Sequence, residues 1–441
     1  ISAMQSNSGS TLTLQADTIR VPAEHILDNS SFTGRDVLNN SNVYSWTGAI
    51  SKEYAEPQNW MPTRTYPAFT DVLQFNSGNS DTVKNIPSTT IGKLLVTNNT
   101  TAILQAKAGT GNSQKLSLNS DLNTATHELT VDQGSSLMLN GPTTGLIIEF
   151  KGDSSTGVLN GNMVMVSGPT NVQGVYFANS ISSVLTINGY FLNSGSTVYN
   201  NNFGGYNNSF VIYGTYEHNY SGSGGSLIPA KWMDGSLCKV TSGIPLPYST
   251  ENNFYKLIYD CPGQTNLQTW ATSRMRVRDS FIVNSTGTGR LSLGNSYTDT
   301  VHHFVQRGGI VELSATGINT TSGNIDITGS WIQENGILTS PTTTANIRPV
   351  LNFKANNGIQ TASFYNTAPT GNLAYRISNP AGIQLNGTGA LTTDFEIDTN
   401  SAIYLPLSLS SPIQSALRLK YLENTTLSFE GNGNIAPDTT I

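Results

Sequence analysis

Two stretches of the chain decide the fold: Phe304-Val305-Gln306-Arg307-Gly308-Gly309-Ile310 and Trp331-Ile332-Gln333-Glu334-Asn335-Gly336-Ile337. The second follows the first by 27 residues. It repeats an aromatic residue, a β-branched residue, Gln, Gly and Ile at corresponding positions. Self-similarity at a fixed period of roughly 20 to 50 residues is the signature of a solenoid. The pair therefore predicts stacked coils built from one repeated unit.

Short strand-like runs recur along the chain on both sides of this pair. Apolar and polar residues alternate over short runs that end at Gly, Asn or Ser, as a strand pattern requires, for example at 115–118, 137–139, 163–166 and 184–187. Stacking such coils pairs each strand with the next and closes an apolar interior. We predict an all-β, right-handed parallel β-helix with an N-terminal capping segment. A set of β-sandwich domains is the alternative, but no linker or composition shift marks domain boundaries.

The composition suits a solenoid with an uncharged exterior. Only 11% of the residues are charged, against about 25% in an average soluble protein. Strand-forming residues are plentiful, and 42 glycines supply turns. We expect Leu, Val, Ile and Phe at inward positions and Ser, Thr and Asn at outward ones. Stacked amides and hydroxyls can hydrogen-bond along a ladder, whereas stacked like charges repel.

The net charge of −6 gives no sign of a nucleic-acid partner. The basic cluster Arg274, Arg276 and Arg278 alternates with apolar residues, which indicates the outer face of a strand more than an anion site. No apolar run approaches the length of a membrane helix, and no cofactor motif is found. The chain begins at Ile1, which we interpret as a processed product or a trimmed fragment.

The chain divides into an N-terminal cap or bridging segment (1–45), an entry segment (46–90) and β-helix coils (91–441). The entry segment holds Trp46-Thr47-Gly48, Pro57-Gln58-Asn59-Trp60 and Asp71-Val72-Leu73-Gln74-Phe75. Together with 235–241, 254–265 and the repeated Gln-containing stretch, it resembles the parallel β-helix surface proteins of Bacteroidota exported by the type IX secretion system. The resemblance implies export, an extracellular or cell-surface location, and usually no catalytic activity.

Three groups of residues are candidate sites. Cys238 and Cys261 are 23 residues apart, close to one coil, so they are predicted to form a disulfide between adjacent coils, with two stacked free thiols as the alternative. Asp394, Glu396 and Asp398 share one face of a predicted strand, which makes them a weak Ca²⁺ candidate beside the simpler interpretation of a solvated face. The adjacent His302 and His303 should point in opposite directions and form neither a catalytic nor a metal pair.

Surface chemistry supplies two further expectations. The Bacteroidota surface proteins that this chain resembles carry O-glycans at Asp-(Ser/Thr)-(small or aliphatic) sites. The matching threonines in this chain are Thr18, Thr82, Thr300 and Thr439. Aromatic residues crowd the Gly- and Asn-rich region 199–220. Outward rings there could stack on sugars, although inward packing explains them as well.

These observations favour a secreted, non-enzymatic structural or adhesive β-helix protein. Uncapped solenoid ends expose strand edges that readily join others, so the chain is expected to bind itself end to end in an extracellular filament. The alternative is a polysaccharide-binding or polysaccharide-degrading β-helix. Clustered carboxylates on neighbouring coils would favour degradation, and outward aromatic residues in a row would favour binding.

Overall fold

Short strands follow one another around an axis, and each pairs in parallel with its counterpart one coil away. The computed structural model describes residues 43–109, 113–119, 126–141, 143–152, 154–167, 173–178, 182–194, 209–219, 227–242, 251–270, 274–293, 298–313, 324–340, 349–364, 370–371, 373–386, 394–398, 400–406, 419–421 and 426–430. The predicted all-β parallel β-helix is confirmed.

The described residues form 39 strands and one short 3-10 helix, Pro57–Asn59. In chain order the strands are β1 (Val43–Trp46), β2 (Trp60–Met61), β3 (Val72–Phe75), β4 (Ser80–Ile86), β5 (Thr89–Ile91), β6 (Lys93–Val96), β7 (Thr101–Ala106), β8 (Ser113–Leu118), β9 (Leu129–Val131), β10 (Ser136–Gly141), β11 (Gly145–Phe150), β12 (Thr156–Leu159), β13 (Asn162–Ser167), β14 (Gly174–Phe177), β15 (Val184–Ile187), β16 (Tyr190–Asn193), β17 (Phe210–Ile212), β18 (Thr215–His218), β19 (Lys231–Trp232), β20 (Leu237–Val240), β21 (Glu251–Phe254), β22 (Lys256–Asp260), β23 (Leu267–Thr269), β24 (Arg274–Ser285), β25 (Arg290–Leu293), β26 (Asp299–Gln306), β27 (Ile310–Leu313), β28 (Ile325–Ile327), β29 (Trp331–Gln333), β30 (Ile337–Ser340), β31 (Val350–Phe353), β32 (Gln360–Phe364), β33 (Thr370–Gly371), β34 (Ala374–Ile377), β35 (Ile383–Asn386), β36 (Asp394–Ile397), β37 (Ala402–Pro406), β38 (Leu419–Tyr421) and β39 (Thr426–Glu430).

The strands build three faces. The first face runs through β1, β3, β6, β9, β12, β15, β17 and β19, and then through β21, β24, β26, β28, β31, β34, β36 and β38. The second face is one ladder of fifteen strands: β4, β7, β10, β13, β16, β18, β20, β22, β24, β26, β29, β32, β35, β37 and β39. The third face consists of β5, β8, β11 and β14, followed later by β23, β25, β27, β30 and β33.

Strands β24 and β26 belong to the first and second faces at once. Each continues around the corner between the two faces, and the register between them shifts there, at Val277/Ser280. Every other coil described on these faces uses separate strands joined by a turn. The two faces are therefore joined by continuous strands in this one region.

Aromatic side chains close the N-terminal end of the interior. Strand β2 pairs antiparallel with the free side of β1. Trp60 of β2 then contacts the rings of Trp46, Tyr54 and Phe75 at centroid distances of 4.9, 5.9 and 6.1 Å. The indole Nε1–H of Trp60 donates to the Tyr54 carbonyl oxygen at 3.1 Å. Capping is thus supplied by the entry segment, and β1 runs across the boundary placed between residues 45 and 46.

A buried ion pair lies within this cap. The Nε of Arg64 donates to the Oδ2 atom of Asp71 at 2.7 Å, and the two side chains are 2% and 0% exposed. The same carboxylate oxygen accepts the Ala68 backbone N–H at 2.9 Å. The guanidinium also lies 5.3 to 5.8 Å from three ring centroids, those of Tyr44, Tyr54 and Trp60. Such a pair stabilises the cap only while both charges are present.

The repeated Gln-containing stretch is explained by its place in the coil. Phe304 and Trp331 are Cα partners, and their rings stack at 4.1 Å inside the solenoid. Two residues later, the buried amide Nε2 of Gln306 donates to the Gly309 carbonyl of its own coil and the Ile337 carbonyl of the next. Gln333 donates to its own Gly336 in the same way, at 3.1 Å. The motif ties the corner between the second and third faces from inside.

Outward positions of the second face differ from the expected Ser, Thr and Asn. Four half-buried aliphatic side chains, from Ile103, Met138, Val164 and Leu192, follow one another in register down the middle of this face. A sheet surface shields its central column by the residues on either side, so aliphatic side chains there are tolerated. The expectation of a wholly polar exterior is wrong for this column.

The interior itself holds polar groups. Asn193 and His218 are Cα partners within the inward column, each 2% exposed. Asn193 Nδ2 donates to the hydroxyl of Tyr216 at 3.2 Å, and that hydroxyl lies 3.1 Å from Nδ1 of His218. Burial lowers the pKa of His218 to about 4. This imidazole is therefore neutral in the folded chain at pH values where an exposed histidine is half charged.

We expect His218 to make the fold sensitive to mild acid. The unfolded chain protonates this histidine near pH 6.5 and the folded chain only near pH 4, so stability falls as the pH drops between these values. Between pH 7 and pH 5 the loss should be about 2 kcal/mol. Denaturant unfolding followed at several pH values measures it. The slope should decrease by about this amount in His218→Gln and remain in the exposed-site control His127→Gln; an unchanged slope in His218→Gln would contradict the assignment.

Candidate functional surface

One outward column of the first face concentrates hydrogen-bonding side chains. Cα partners in successive coils place them one above another, in the order Arg276, Thr300, Asp326, Asn352, Arg376 and Glu396. The corresponding column in earlier coils carries Gln74, Leu95, Thr130, Val158, Thr186 and Val211, with no charge among them. Charge on this column first appears at Lys231, the Cα partner of Val211, and is concentrated from Arg276 onward.

Side chains of this column are linked across coils. Asn352 Nδ2 donates to Oδ1 of Asp326 at 2.9 Å, and Nζ of Lys354 lies 3.5 Å from the other oxygen of that carboxylate. Ser378 Oγ donates to Oδ1 of Asn352 at 2.9 Å. We call the set Asp326, Asn352, Lys354, Arg376, Ser378 and Asp398 the polar ladder. Its members come from strands, or residues just after strands, of adjacent coils.

The lower end of the polar ladder is a two-point ion pair. Arg376 Nε lies 3.0 and 2.9 Å from the two carboxylate oxygens of Asp398, and Ser378 Oγ lies 2.5 Å from one of them. The hydrogen bond with Asp398 raises the pKa of Arg376, which burial opposes. The guanidinium is 47% exposed and the carboxylate 19%. These groups are fixed by one another and still accessible to a ligand.

The three predicted calcium ligands lie on or just after β36, where Glu396 is the Cα partner of Arg376. Strand β36 ends at Ile397, so Asp398 lies just beyond it, and its carboxylate is held by Arg376. The side chain of Asp394 lies outside the described residues. Within the described residues, no group of three or more His, Cys, Asp and Glu side chains could hold a metal ion.

The predicted disulfide is wrong. The Cα partner of Cys238 in the next coil is Leu257, four residues before Cys261. Both thiols are free and buried, and the Cys261 thiol donates to the Val240 carbonyl at 3.6 Å. This coil is shorter than the spacing used for the prediction, so Cys261 passes beyond the position opposite Cys238. Burial raises the pKa of Cys261 to about 12, which keeps it a thiol.

The expected separation of His302 and His303 is also wrong. Their ring centroids are 4.1 Å apart, because β26 turns the corner between two faces at this point. His302 Nδ1 lies 3.1 Å from Oγ1 of Thr328, and His303 Nδ1 lies 2.9 Å from Oγ of Ser330. Strand alternation fails where a strand crosses a corner. The pair borders the upper end of the polar ladder.

The other sequence-based sites fall in varied surroundings. Thr82 is half-buried in β4, and Thr300 is half-buried in β26 between Arg276 and Asp326. Thr18 and Thr439 lie outside the described residues, and glycosylation stays a prediction at all four threonines. In the aromatic region, Phe210 and Tyr216 point inward, whereas Tyr213 is 47% exposed. Arg274, Arg276 and Arg278 alternate with buried residues, as predicted for an outer strand face.

Sequence reasoning missed two similar ion pairs on the third face. Lys115 of the run 115–118 and Arg290 of the run 290–293 each lie 2.7 Å from a glutamate one coil later, Glu149 and Glu312. These carboxylates are 9% and 1% exposed, and their basic partners are about half exposed. The likeness of Lys-Leu-Ser-Leu to Arg-Leu-Ser-Leu was the available signal.

The polar ladder was missed as well. Asp326, Lys354 and Arg376 are separated by roughly one coil, but they have no shared motif, and only the register brings them together. None of the described residues forms a helix with the length and apolar character needed for a membrane crossing. Comparison of the chain with protein-family models, curated proteins and solved structures gives no match.

Proposed function

We propose that this chain is the rod of a bacterial extracellular surface protein, structural and adhesive in role, and that its polar ladder binds surface carbohydrate. The observation that carries the proposal is the polar ladder itself. It sets carboxylate, amide, hydroxyl and guanidinium groups on adjacent coils of one face. Coils in a parallel ladder repeat about every 4.8 Å. A ligand with repeating hydroxyl or carboxylate groups, which is the chemistry of a polysaccharide, suits such a surface.

The polar ladder is preorganised for binding. The ladder groups are already hydrogen-bonded to each other, so binding needs little further ordering of side chains, which reduces its entropic cost. Extracellular placement rests on the composition and on the resemblance to exported β-helix proteins. The carboxylates of Glu396 and Asp398 beside Arg376 make polysaccharide cleavage the second candidate.

We expect the double variant Arg376→Gln/Asp398→Asn to weaken carbohydrate binding by about tenfold or more, since charge-assisted hydrogen bonds contribute about 1.5 to 3 kcal/mol each. Binding is measured on arrayed neutral and acidic bacterial polysaccharides. The matched control is Lys239→Gln/Glu217→Gln, which removes an ion pair of similar exposure from the second face. Equal binding by the two variants, or no binding by the parent chain, would refute the polar ladder as an adhesive surface.

The same mixtures test the enzymatic alternative. Release of new reducing ends or unsaturated sugars by the parent chain, lost in the double variant, would replace adhesion by cleavage. A polysaccharide that is bound and recovered at its original length supports the adhesive proposal.

End-to-end assembly is part of the proposed structural role. The described N-terminal end is covered by β2 and by the aromatic cap. A filament contact at that end must therefore form on the cap or through residues 1–42, not through an open β1 edge. Negative-stain electron microscopy at increasing concentration tests this: fibres support assembly, and single rods at every concentration exclude it.

A further inference from the structure

The turn between β29 and β30 brings together the atoms of a self-modifying dipeptide. Gly336 donates its backbone N–H to Oδ1 of the preceding Asn335 at 2.8 Å. Asn335 is exposed, and Gly336 has a positive φ of 93°. Because Oδ1 is bonded to Cγ, this hydrogen bond holds the glycine nitrogen beside the carbon atom of the asparagine side chain. We propose that Asn335 is a site of spontaneous deamidation to aspartate and isoaspartate.

The chemistry needs only water as a co-reactant. The Gly336 nitrogen loses its proton and attacks Cγ of Asn335, forming a five-membered succinimide as the Cγ–Nδ2 bond breaks and ammonia leaves. Water then adds to one of the two ring carbonyls. Opening at Cγ leaves aspartate, and opening at the backbone carbonyl leaves isoaspartate, in which the chain runs through Cβ. Glycine favours the attack because it has no side chain to crowd the nitrogen.

Another of the seven Asn-Gly pairs in the chain, Asn188-Gly189, provides an internal contrast. Asn188 is exposed like Asn335, yet the N–H of Gly189 donates to the Leu159 carbonyl at 2.9 Å. The side-chain Nδ2 of Asn188 donates to Oδ1 of Asn160 in the previous coil at 2.8 Å. Attack at Asn188 requires both hydrogen bonds to break first, so the coil stacking protects it.

The pair Asn357-Gly358 separates the effect of exposure from the effect of the hydrogen bond between the glycine N–H and the asparagine side chain. Asn357 and Gly358 are both exposed, and Gly358 has a positive φ of 74°. Unlike the turn at Asn335, this turn has no hydrogen bond from the glycine N–H to the asparagine side chain in the described structure. If the held contact determines the rate, Asn335 must react faster than Asn357.

Isoaspartate at position 335 would alter the repeated corner. The turn carbonyl of Gly336 accepts from Gln333, and the carbonyl of Ile337 accepts from Gln306 of the previous coil. An extra backbone atom displaces both acceptors, and it places a carboxylate beside the exposed ion pair of Arg307 and Glu334. The modified coil is expected to be the less stable one.

The test is a time course of the full chain at mildly alkaline pH, followed by peptide mapping that separates Asn, Asp and isoaspartate forms. In the folded chain, we expect Asn335 to convert more than roughly tenfold faster than Asn188, since each 1.4 kcal/mol of opening free energy slows a protected site about tenfold. In denaturant the pairs at Asn188, Asn335 and Asn357, three of the seven Asn-Gly pairs in the chain, should react at similar rates. The variant Asn335→Ser should remove the modification from this peptide only.

Three results would overturn the proposal. If Asn188 converts as fast as Asn335 in the folded chain, stacking gives no protection. If Asn357 converts as fast as Asn335, exposure alone sets the rate and the held contact is irrelevant. A difference between the pairs that survives in denaturant would assign the selectivity to neighbouring sequence instead of to the fold.

Discussion

Replacing Asp71 by Asn is expected to destabilise the N-terminal cap by about 3 to 5 kcal/mol, because it leaves the buried Arg64 guanidinium without a counter-charge. The two side chains are 2% and 0% exposed, so water cannot solvate the charge that remains. Asn keeps the size of Asp and can still accept the Ala68 N–H. The change therefore tests charge and not packing. Amide hydrogen exchange at Gly92 and Lys93, whose N–H groups donate to the Asp71 carbonyl, reports opening of this end.

The control for Asp71→Asn is Glu334→Gln. It makes the same change of charge in the pair with Arg307, where both side chains are about half exposed at a separation of 3.4 Å. Exposed pairs contribute about 0 to 1 kcal/mol. Similar losses in the two variants would show that the cap pair is solvated and that burial does not set its contribution.

Replacing Gly189 by Ala is the second substitution expected to have a large effect. A Cβ atom there would lie 2.1 Å from the Gly161 carbonyl oxygen and 2.7 Å from that of Asn160, distances that real Cβ atoms do not adopt. Both obstacles are backbone of the previous coil, so relief requires two coils to separate. Separation also strains the bond from Gly189 N–H to Leu159. We expect a loss of about 3 kcal/mol or more, measured by denaturant unfolding.

Gly263→Ala is the matched control for Gly189→Ala. A Cβ at Gly263 meets nothing within 4 Å, so this change should be close to neutral. Both variants add one methyl group to a turn glycine, and only the stacking differs. A large loss at Gly263, or none at Gly189, would mean that turn flexibility and not coil contact determines the glycine requirement.

The stacking of coils was predictable because it depends on local patterns that repeat. The stretch from Phe304 to Ile310 and its copy carry an aromatic residue for the core and a glycine for the turn, and these needs recur in each coil. The buried polar side chains were not predictable. Gln306 and His218 occupy inward positions where an alternation rule expects apolar residues, and only the geometry of the corner shows which carbonyls and hydroxyls they bind.

Predictions that depended on an unvarying coil length failed. The spacing of Cys238 and Cys261 assumed one average coil, but the local coil is shorter and Leu257 takes the opposite position. The two histidines were separated by strand alternation, which β26 does not obey at its corner. For the same reason the polar ladder could not be read from the chain: Asp326 and Arg376 become neighbours only after each intervening coil has its actual length.

Strands β24 and β26 give the rod an expected mechanical discontinuity. Elsewhere the hydrogen bonds of one face can break coil by coil, because a turn separates that face from the next. Across 274–306 the same strands carry the hydrogen bonds of two faces, so a break on either face must open both together. When force is applied at one end, unfolding should stop at this region, because further unfolding must break the hydrogen bonds of two faces at once. The rod should therefore unfold as two segments at different forces.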